Sequence, residues 1–271
     1  MLTGRYISIH ILPFSFQEYI RCQDDVSRKD LLFSSYLDNG GMPGIIHMPE
    51  LSINGYIREI ISNIIQKDVL IRHKWRNEAH FFKTTAFLFD SIGSIISPKK
   101  ITNTLKSNNN LSISHNTVEN FIKALVDSYL FYQVKRFDLK GKSLLLTQEK
   151  YYTVDVGLKK YFLEEKTNLD LGHNLENIVF LELLRRGYKI NIGKANGTEI
   201  DFVVRNANGE QEYIQVAWTA KEQATFEREI RPFGLIKDFY RRVLLTTDVE
   251  PQTAYKGIQK INVIDWLLVD S

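Results

Sequence analysis

The stretch Glu199-Ile200-Asp201-Phe202-Val203-Val204, followed by Tyr213-Ile214-Gln215-Val216-Ala217, decides the fold. Both runs are apolar with polar residues spaced along them, which is how strands read. Asn206-Ala207-Asn208-Gly209 lies between them and is a turn signal, so the two runs form a hairpin. A period of two puts Glu199 and Asp201 on one face of the first strand, and Gln215 and Ala217 on one face of the second. Just upstream, the spacing predicts a helix over 174–186 that carries Glu176. Val179, Phe180 and Leu183 follow Glu176 at i+3, i+4 and i+7, which sets it beside the buried face.

Glu176, Asp201 and Gln215 are therefore candidates to converge on one site. Carboxylates that converge suit Mg²⁺, which takes hard oxygen ligands, and a metal so held activates water and neutralises developing charge. Glu176 and Asp201 are the candidate metal ligands, and with Gln215 they form a candidate catalytic set for phosphodiester hydrolysis. The set is degenerate: Gln215 is neutral, and Ala217 supplies no cation. Lys194 or Lys221 would have to reach in to supply one. The plainer reading makes Glu176 and Asp201 polar residues at the rim of an ordinary α/β sheet.

Around this hairpin the pattern predicts strands at 189–192, 242–246 and 261–264 and a helix over 224–239. Residues 168–271 therefore read as a mixed-sheet α/β domain. The preceding segment, 77–160, reads as three helices and a hairpin: a helix over 78–92, one starting at Ser97-Pro98 and broken at Ser107-Asn108-Asn109-Asn110, and one capped by Ser114 or Asn116. The hairpin strands run over 130–137 and 143–146, with a further strand at 151–154. That order is a winged helix. Its third helix offers Asn116, Thr117, Asn120 and Lys123 for base-edge and phosphate contacts, and its wing offers Lys135, Arg136, Lys140 and Lys142 for phosphates. Glu119 and Asp127 dilute the basic character of that helix, and a protein-packing role is the alternative.

Residues 1–76 begin with a strand-like alternation over 6–12. Ser15 and Glu18 form a capping box ahead of a helix. A short helix over 31–37 ends at Asn39-Gly40-Gly41-Met42-Pro43. A long amphipathic helix over 51–72 carries two apolar rows, Tyr56-Ile60-Ile64 and Ile57-Ile61-Ile65. Asp68 and Arg72, four apart, read as a surface ion pair. Overall the fold class is α/β (α+β), a helical segment and winged helix followed by the mixed-sheet domain.

The bulk numbers fit. The chain has 271 residues, 44% of them hydrophobic and 25% charged, with room for about two domains. The net charge of +3 allows a nucleic-acid face without requiring one. The single cysteine, Cys22, rules out an internal disulfide or a cysteine metal cluster and suits a reducing cytoplasm. No apolar run reaches the roughly 18 residues of a membrane helix, and no signal peptide is expected. The histidines show no metal-ligand spacing. No G-x-x-x-x-G-K-[ST] occurs, so this chain has no phosphate-cradling loop.

Several blocks in order carry a resemblance. They are Thr3-Gly4-Arg5-Tyr6 leading into Leu12-Pro13-Phe14-Ser15-Phe16-Gln17-Glu18-Tyr19, Tyr36 to Pro43, Asp68-Val69, Ile92-Gly93-Ser94, Tyr151 to Leu158, Glu176-Asn177, Glu199-Ile200-Asp201-Phe202 and Ile214-Gln215-Val216. Together they resemble the C-terminal portion of prokaryotic AAA-type ATPases. In that group a P-loop core precedes a winged helix and a domain of unknown function that resembles PD-(D/E)XK nucleases. The resemblance implies that residues 1–76 are the end of an ATPase core whose Walker A and B portion this chain lacks, with the strand at 6–12 its last strand. It also implies that Arg5 senses nucleotide in the complete protein, with ATP and Mg as cofactors of that form and none in this chain unless the nuclease-like site holds Mg. The function expected is a regulatory and binding portion that contacts DNA, the missing core or a partner protein. The alternatives are a Mg-dependent DNA nuclease with a migrated lysine and a protein-interaction scaffold.

Overall fold

Helix α1 (Phe16–Arg21) starts where the capping box places it: the Ser15 hydroxyl accepts from the Glu18 amide at 3.1 Å, and the Glu18 carboxylate accepts from the Ser15 amide at 2.7 Å. The computed structural model describes residues 9–23, 25–73, 75, 77–109, 111–163, 170–249 and 253–269. Arg5 and positions 6–8 of the expected first strand lie outside the described residues. Residues 9–12 are not in a strand, and Ile9 and Ile11 are exposed because no neighbouring strand pairs with them.

Helix α2 (Lys29–Asn39) is longer than expected at both ends and stops at Gly40, whose φ of 80° is left-handed. A Cβ there would sit 1.8 Å from the Asp155 carboxylate, so only glycine fits. Helix α3 (Glu50–Ile64) runs on through a π-helical segment, Ile65–Leu70, into α4 (Ile71–His73). Its buried row is Ile53, Ile57, Ile61, Ile65 and Val69, with Tyr56, Ile60 and Ile64 half-buried beside it. Steps of four overshoot one α-turn, and the wider π-turn brings Val69 back into line. Asp68 and Arg72 pair at 3.2 Å on the exposed side.

Helices α5 (Glu78–Asp90), α6 (Pro98–Asn109) and α7 (His115–Asp127) follow, with Ser114 the N-cap of α7. Helix α6 ends at Asn109, within the stretch 107–110 expected to break it, and the Ser107 hydroxyl donates to the Thr104 carbonyl at 3.2 Å in its last turn. The hairpin is β1 (Phe131–Asp138) and β2 (Ser143–Thr153). The two short strands expected within 143–154 are one. Val134 pairs with Lys150 and Arg136 with Leu145, so β2 absorbs the extra residues as a bulge instead of ending.

A short helix, α8 (Lys159–Phe162), precedes α9 (Leu171–Arg185). Then come β3 (Lys189–Ala195), β4 (Thr198–Arg205), β5 (Gln211–Ala217), α10 (Gln223–Ile230), β6 (Arg241–Thr246), β7 (Thr253–Tyr255), β8 (Ile258–Asn262) and α11 (Val263–Leu268). Helix α10 is shorter than the expected 224–239, because Pro232 and Gly234 turn the chain into a 3₁₀ segment over Arg231–Leu235. The strands make one mixed eight-stranded sheet in the order β2-β1-β3-β4-β5-β6-β8-β7. Strand β1 pairs in parallel with β3, so this sheet runs across the divide expected between residues 160 and 168. The fold is α/β (α+β).

The sheet separates two cores. Phe202 and Val204 face the larger one with α9 and the N-terminal helices, while Ile200 and Val203 face a smaller one with Phe233. Strict alternation would not put Phe202 two places from Ile200 on the opposite face and Val203 back again. The register explains it. Between Asn191–Val203 and Gly193–Ile200, β3 advances two residues while β4 advances three, a bulge at Asp201-Phe202. That bulge turns Asp201 to the α9 side along with Phe202. Gly193 makes room for it, since a Cβ there would meet Val203 at 2.8 Å and Ile200 at 2.9 Å.

Candidate functional site

Helix α9 brings Glu176 to the bulge. Asp170 caps the helix by accepting from the His173 amide at 3.2 Å. Asn177, next to Glu176, clamps the end of β2: its Oδ1 accepts from the Thr153 amide at 2.8 Å and its Nδ2 donates to the Thr153 carbonyl at 2.9 Å. In this way α9 is fixed against β2, whose Lys150 and Tyr152 share a face by period two. Tyr152 stacks on Phe180 of α9, with ring centroids 4.4 Å apart.

Lys150 is the centre of the site. Its Nζ donates to Glu176 Oε1 at 2.8 Å, pairs with the Glu199 carboxylate, and lies 3.5 Å from Asp201 Oδ1. The Tyr152 hydroxyl donates to the same Glu176 oxygen at 2.5 Å. The Lys150 side chain is only 3% exposed. Burial opposes its charge, yet the carboxylates of Glu176, Asp201 and Glu199 hold its pKa above the ordinary lysine value, so it stays an ammonium.

Three carboxylates share one cation, and the imbalance falls on Asp201. Burial raises its pKa, and the charge of Glu176 raises it further. Lys150 and the Val216 amide, which donates to Asp201 Oδ2 at 2.9 Å, oppose the rise, and Glu199 adds to it. The result is a carboxyl pushed up to about 8, protonated at neutral pH. Burial and its bond to Glu176 likewise hold the Tyr152 hydroxyl well above its usual range.

The structure brings Glu176 and Asp201 together, as their positions suggest, but places Gln215 beside them and not among them. Gln215 Oε1 accepts from the Asp201 amide at 3.3 Å and Nε2 donates to Glu229 at 3.4 Å, so both ends of its amide are engaged. The cation comes from β2, and neither Lys194 nor Lys221 is among its partners. Sequence reasoning missed Lys150 because it lies outside the α/β segment. The available signal was a lysine two places from a tyrosine in a run whose following residues, Tyr151 to Thr153, are buried.

A divalent metal does not fit this arrangement. Mg²⁺ needs near-octahedral oxygens at about 2.0–2.1 Å, and the ammonium already stands between the carboxylates that would supply them. Among the described residues, no group of three or more His, Cys, Asp or Glu side chains is placed to hold a metal ion. Open space remains next to the cluster, a cleft of about 410 Å³ lined by His173, Glu176, Ala217, Trp218 and Arg228. His173 Nδ1 contacts Asp170 there at 2.9 Å.

The winged-helix candidates divide. Asn116, Asn120 and Lys123 are exposed on α7, while the Thr117 hydroxyl is bonded to Ser114 at 2.7 Å within the cap. Lys135, Lys140 and Lys142 are exposed on the hairpin. Arg136 is not available to a phosphate: it is 8% exposed and its Nη1 donates to Gln148 at 2.8 Å. The wing is also built in, because β1 lies between β2 and β3. No helix among the described residues is long and apolar enough to cross a membrane.

Comparison with known proteins places the chain in a family. A model described as Domain of unknown function (DUF8612) matches residues 30–169. An uncharacterized protein of Haemophilus influenzae is 37% identical over 272 positions, covering 99% of this chain and 66% of that protein. An uncharacterized protein of Methanocaldococcus jannaschii is 31% identical over 253 positions, covering 88% of this chain and 55% of that protein. The chain thus spans under two thirds of the length of these relatives. No solved structure matches.

Proposed function

We propose that this chain, which belongs to the DUF8612 family, is a binding and regulatory portion of a longer AAA-type ATPase, with a nuclease-like core that no longer cleaves. The observation that carries the non-cleaving half is Lys150. Its buried ammonium stands among Glu176, Glu199 and Asp201, where a nuclease would keep a metal and its water. Gln215 adds to the loss, since both ends of its amide are bonded elsewhere. The ATPase half is supported by the ordered blocks that resemble that group and by relatives longer than this chain. In the complete protein ATP and Mg are the cofactors, and Arg5 is the nucleotide-sensing residue. The protein works in the cytoplasm, as the lone cysteine suggests.

The exposed lysines of the hairpin support a second reading, in which Lys135, Lys140 and Lys142 contact DNA phosphates while Lys123, Asn116 and Asn120 face the bases. One assay separates these readings from the nuclease. Supercoiled plasmid is incubated with the chain in Mg²⁺ or Mn²⁺, with Asp201→Ala as control, and the same protein is titrated with a duplex at two salt concentrations. The proposal expects no cleavage. Cleavage lost in Asp201→Ala overturns it. A steep fall of duplex affinity with salt supports the DNA reading.

A further inference from the structure

A groove of about 1050 Å³ opens between α7, the start of α6 and the far end of β2. That is the upper end of the roughly 300–1,000 Å³ usual for small-molecule pockets. Its apolar surface comes from Pro98, Ile122 and Val126, and Tyr151 lies against it. Amides of Asn120, Gln133 and Gln148 ring it, so it offers both contact area and hydrogen bonds.

Charge selects the occupant. Glu149 is half-buried in the groove, and its donors among the described residues are neutral: the Gln133 amide and, at 3.1 Å, the Tyr151 hydroxyl. Among the described residues no lysine or arginine pairs with Glu149 or with Asp127. The third acid, Glu119, has only His115 at 3.9 Å. Lys99 and Lys123 also line the groove, but both are exposed, whereas Glu149 has lost part of its water. A partly desolvated carboxylate without a cation gains most from a charged donor. A phosphate backbone brings charge of the wrong sign to the same place.

We infer that this groove docks a protein segment that sets a lysine or arginine against Glu149 and an apolar side chain over Ile122 and Val126. The inference names the partner class for the binding role proposed above and rests on it. It separates α7 from the DNA reading: the helix expected to read bases presents its acidic side to a peptide, and DNA contact is left to the hairpin lysines.

The test pans a phage-displayed random 12-residue peptide library on the full chain, then measures the enriched peptides by fluorescence polarisation. The expected peptides pair a basic residue with an apolar one. Their affinity falls about tenfold, or about 1.4 kcal/mol, in Glu149→Gln, an isosteric change that keeps a polar group for Tyr151. It falls at least as far in Asp127→Lys, an exposed change that leaves the core untouched. A 20-base-pair duplex does not displace the peptides. No enrichment, peptides without basic residues, affinities within twofold in both variants, or displacement by the duplex overturns the inference. Metal-dependent cleavage is a separate readout, so failure here is distinct from failure of the non-cleaving role.

Discussion

Lys150 and Lys260 are both buried, and they keep different company. On β8, Lys260 Nζ lies 2.8 Å from Asp248 Oδ2. Asp248 is further satisfied by the Thr219 hydroxyl at 2.7 Å and the Ala220 amide at 2.9 Å. Burial works against the Asp248 charge, but these bonds and Lys260 outweigh it and hold the carboxyl below its ordinary value. Lys150 meets three carboxylates, and one of them, Asp201, is pushed up to about 8. The residue type is the same, and the carboxylates around it differ in how fully other donors satisfy them. A balanced pair ties the loop after β5 to the sheet. An overcharged cluster leaves one of its carboxyls protonated.

The comparison is tested hardest by removing each cation. Lys150→Met leaves three carboxylates without an ammonium and is expected to cost about 3–5 kcal/mol, as when one partner of a buried pair is lost. Lys260→Met leaves Asp248 with two good donors and is expected to cost about 1–3 kcal/mol. Urea unfolding of both variants checks the order, and equal losses would dissolve the distinction.

Gly193→Ala acts on one region only. Its Cβ would press on Val203 and Ile200 at the β4 bulge, with an expected loss of about 1–3 kcal/mol. It should also shift the titration of Asp201 while that of Asp248 stays put, which carboxyl NMR signals would show.

The two regions should also answer pH in opposite senses. Asp201 holds its proton in the folded state up to about 8, while the unfolded chain releases it near 3.8. Between those values the native state binds more protons, so stability falls as pH rises, at about 1.4 kcal/mol per pH unit. Burial pushes Asp155 up to about 7, which adds to the same slope. Asp201→Asn should therefore flatten the fall between pH 5 and 7 only in part. Asp248, with its pKa lowered, contributes stability that is present above 3.8 and lost as pH falls through its folded value. Urea midpoints of wild type and Asp201→Asn from pH 3 to pH 8 test both senses.

Local pattern made some of this legible and hid the rest. Capping chemistry placed α1 at Ser15 and narrowed the α7 cap to Ser114 or Asn116, of which Ser114 is the cap, because those signals act within four residues. Glu176 and Asp201 could be paired from a helix and a strand close in sequence. Lys150 could not, since its meeting with them depends on β2 packing against α9 through Asn177 and Phe180. The bulge at Asp201 was likewise hidden, because its cause is Gly193 on the neighbouring strand. Arg136 read as a wing cation only while the hairpin was thought free, and its pairing with β3 buries it.

The measurement closest to the central claim is a calorimetric titration of Mn²⁺ into the wild-type chain at pH 7. With the Lys150 ammonium set among the three carboxylates, no saturable heat is expected, and none should appear in Asp201→Asn. A saturable one-site isotherm in the wild type that vanishes in Asp201→Asn would contradict the account and return the site to metal chemistry.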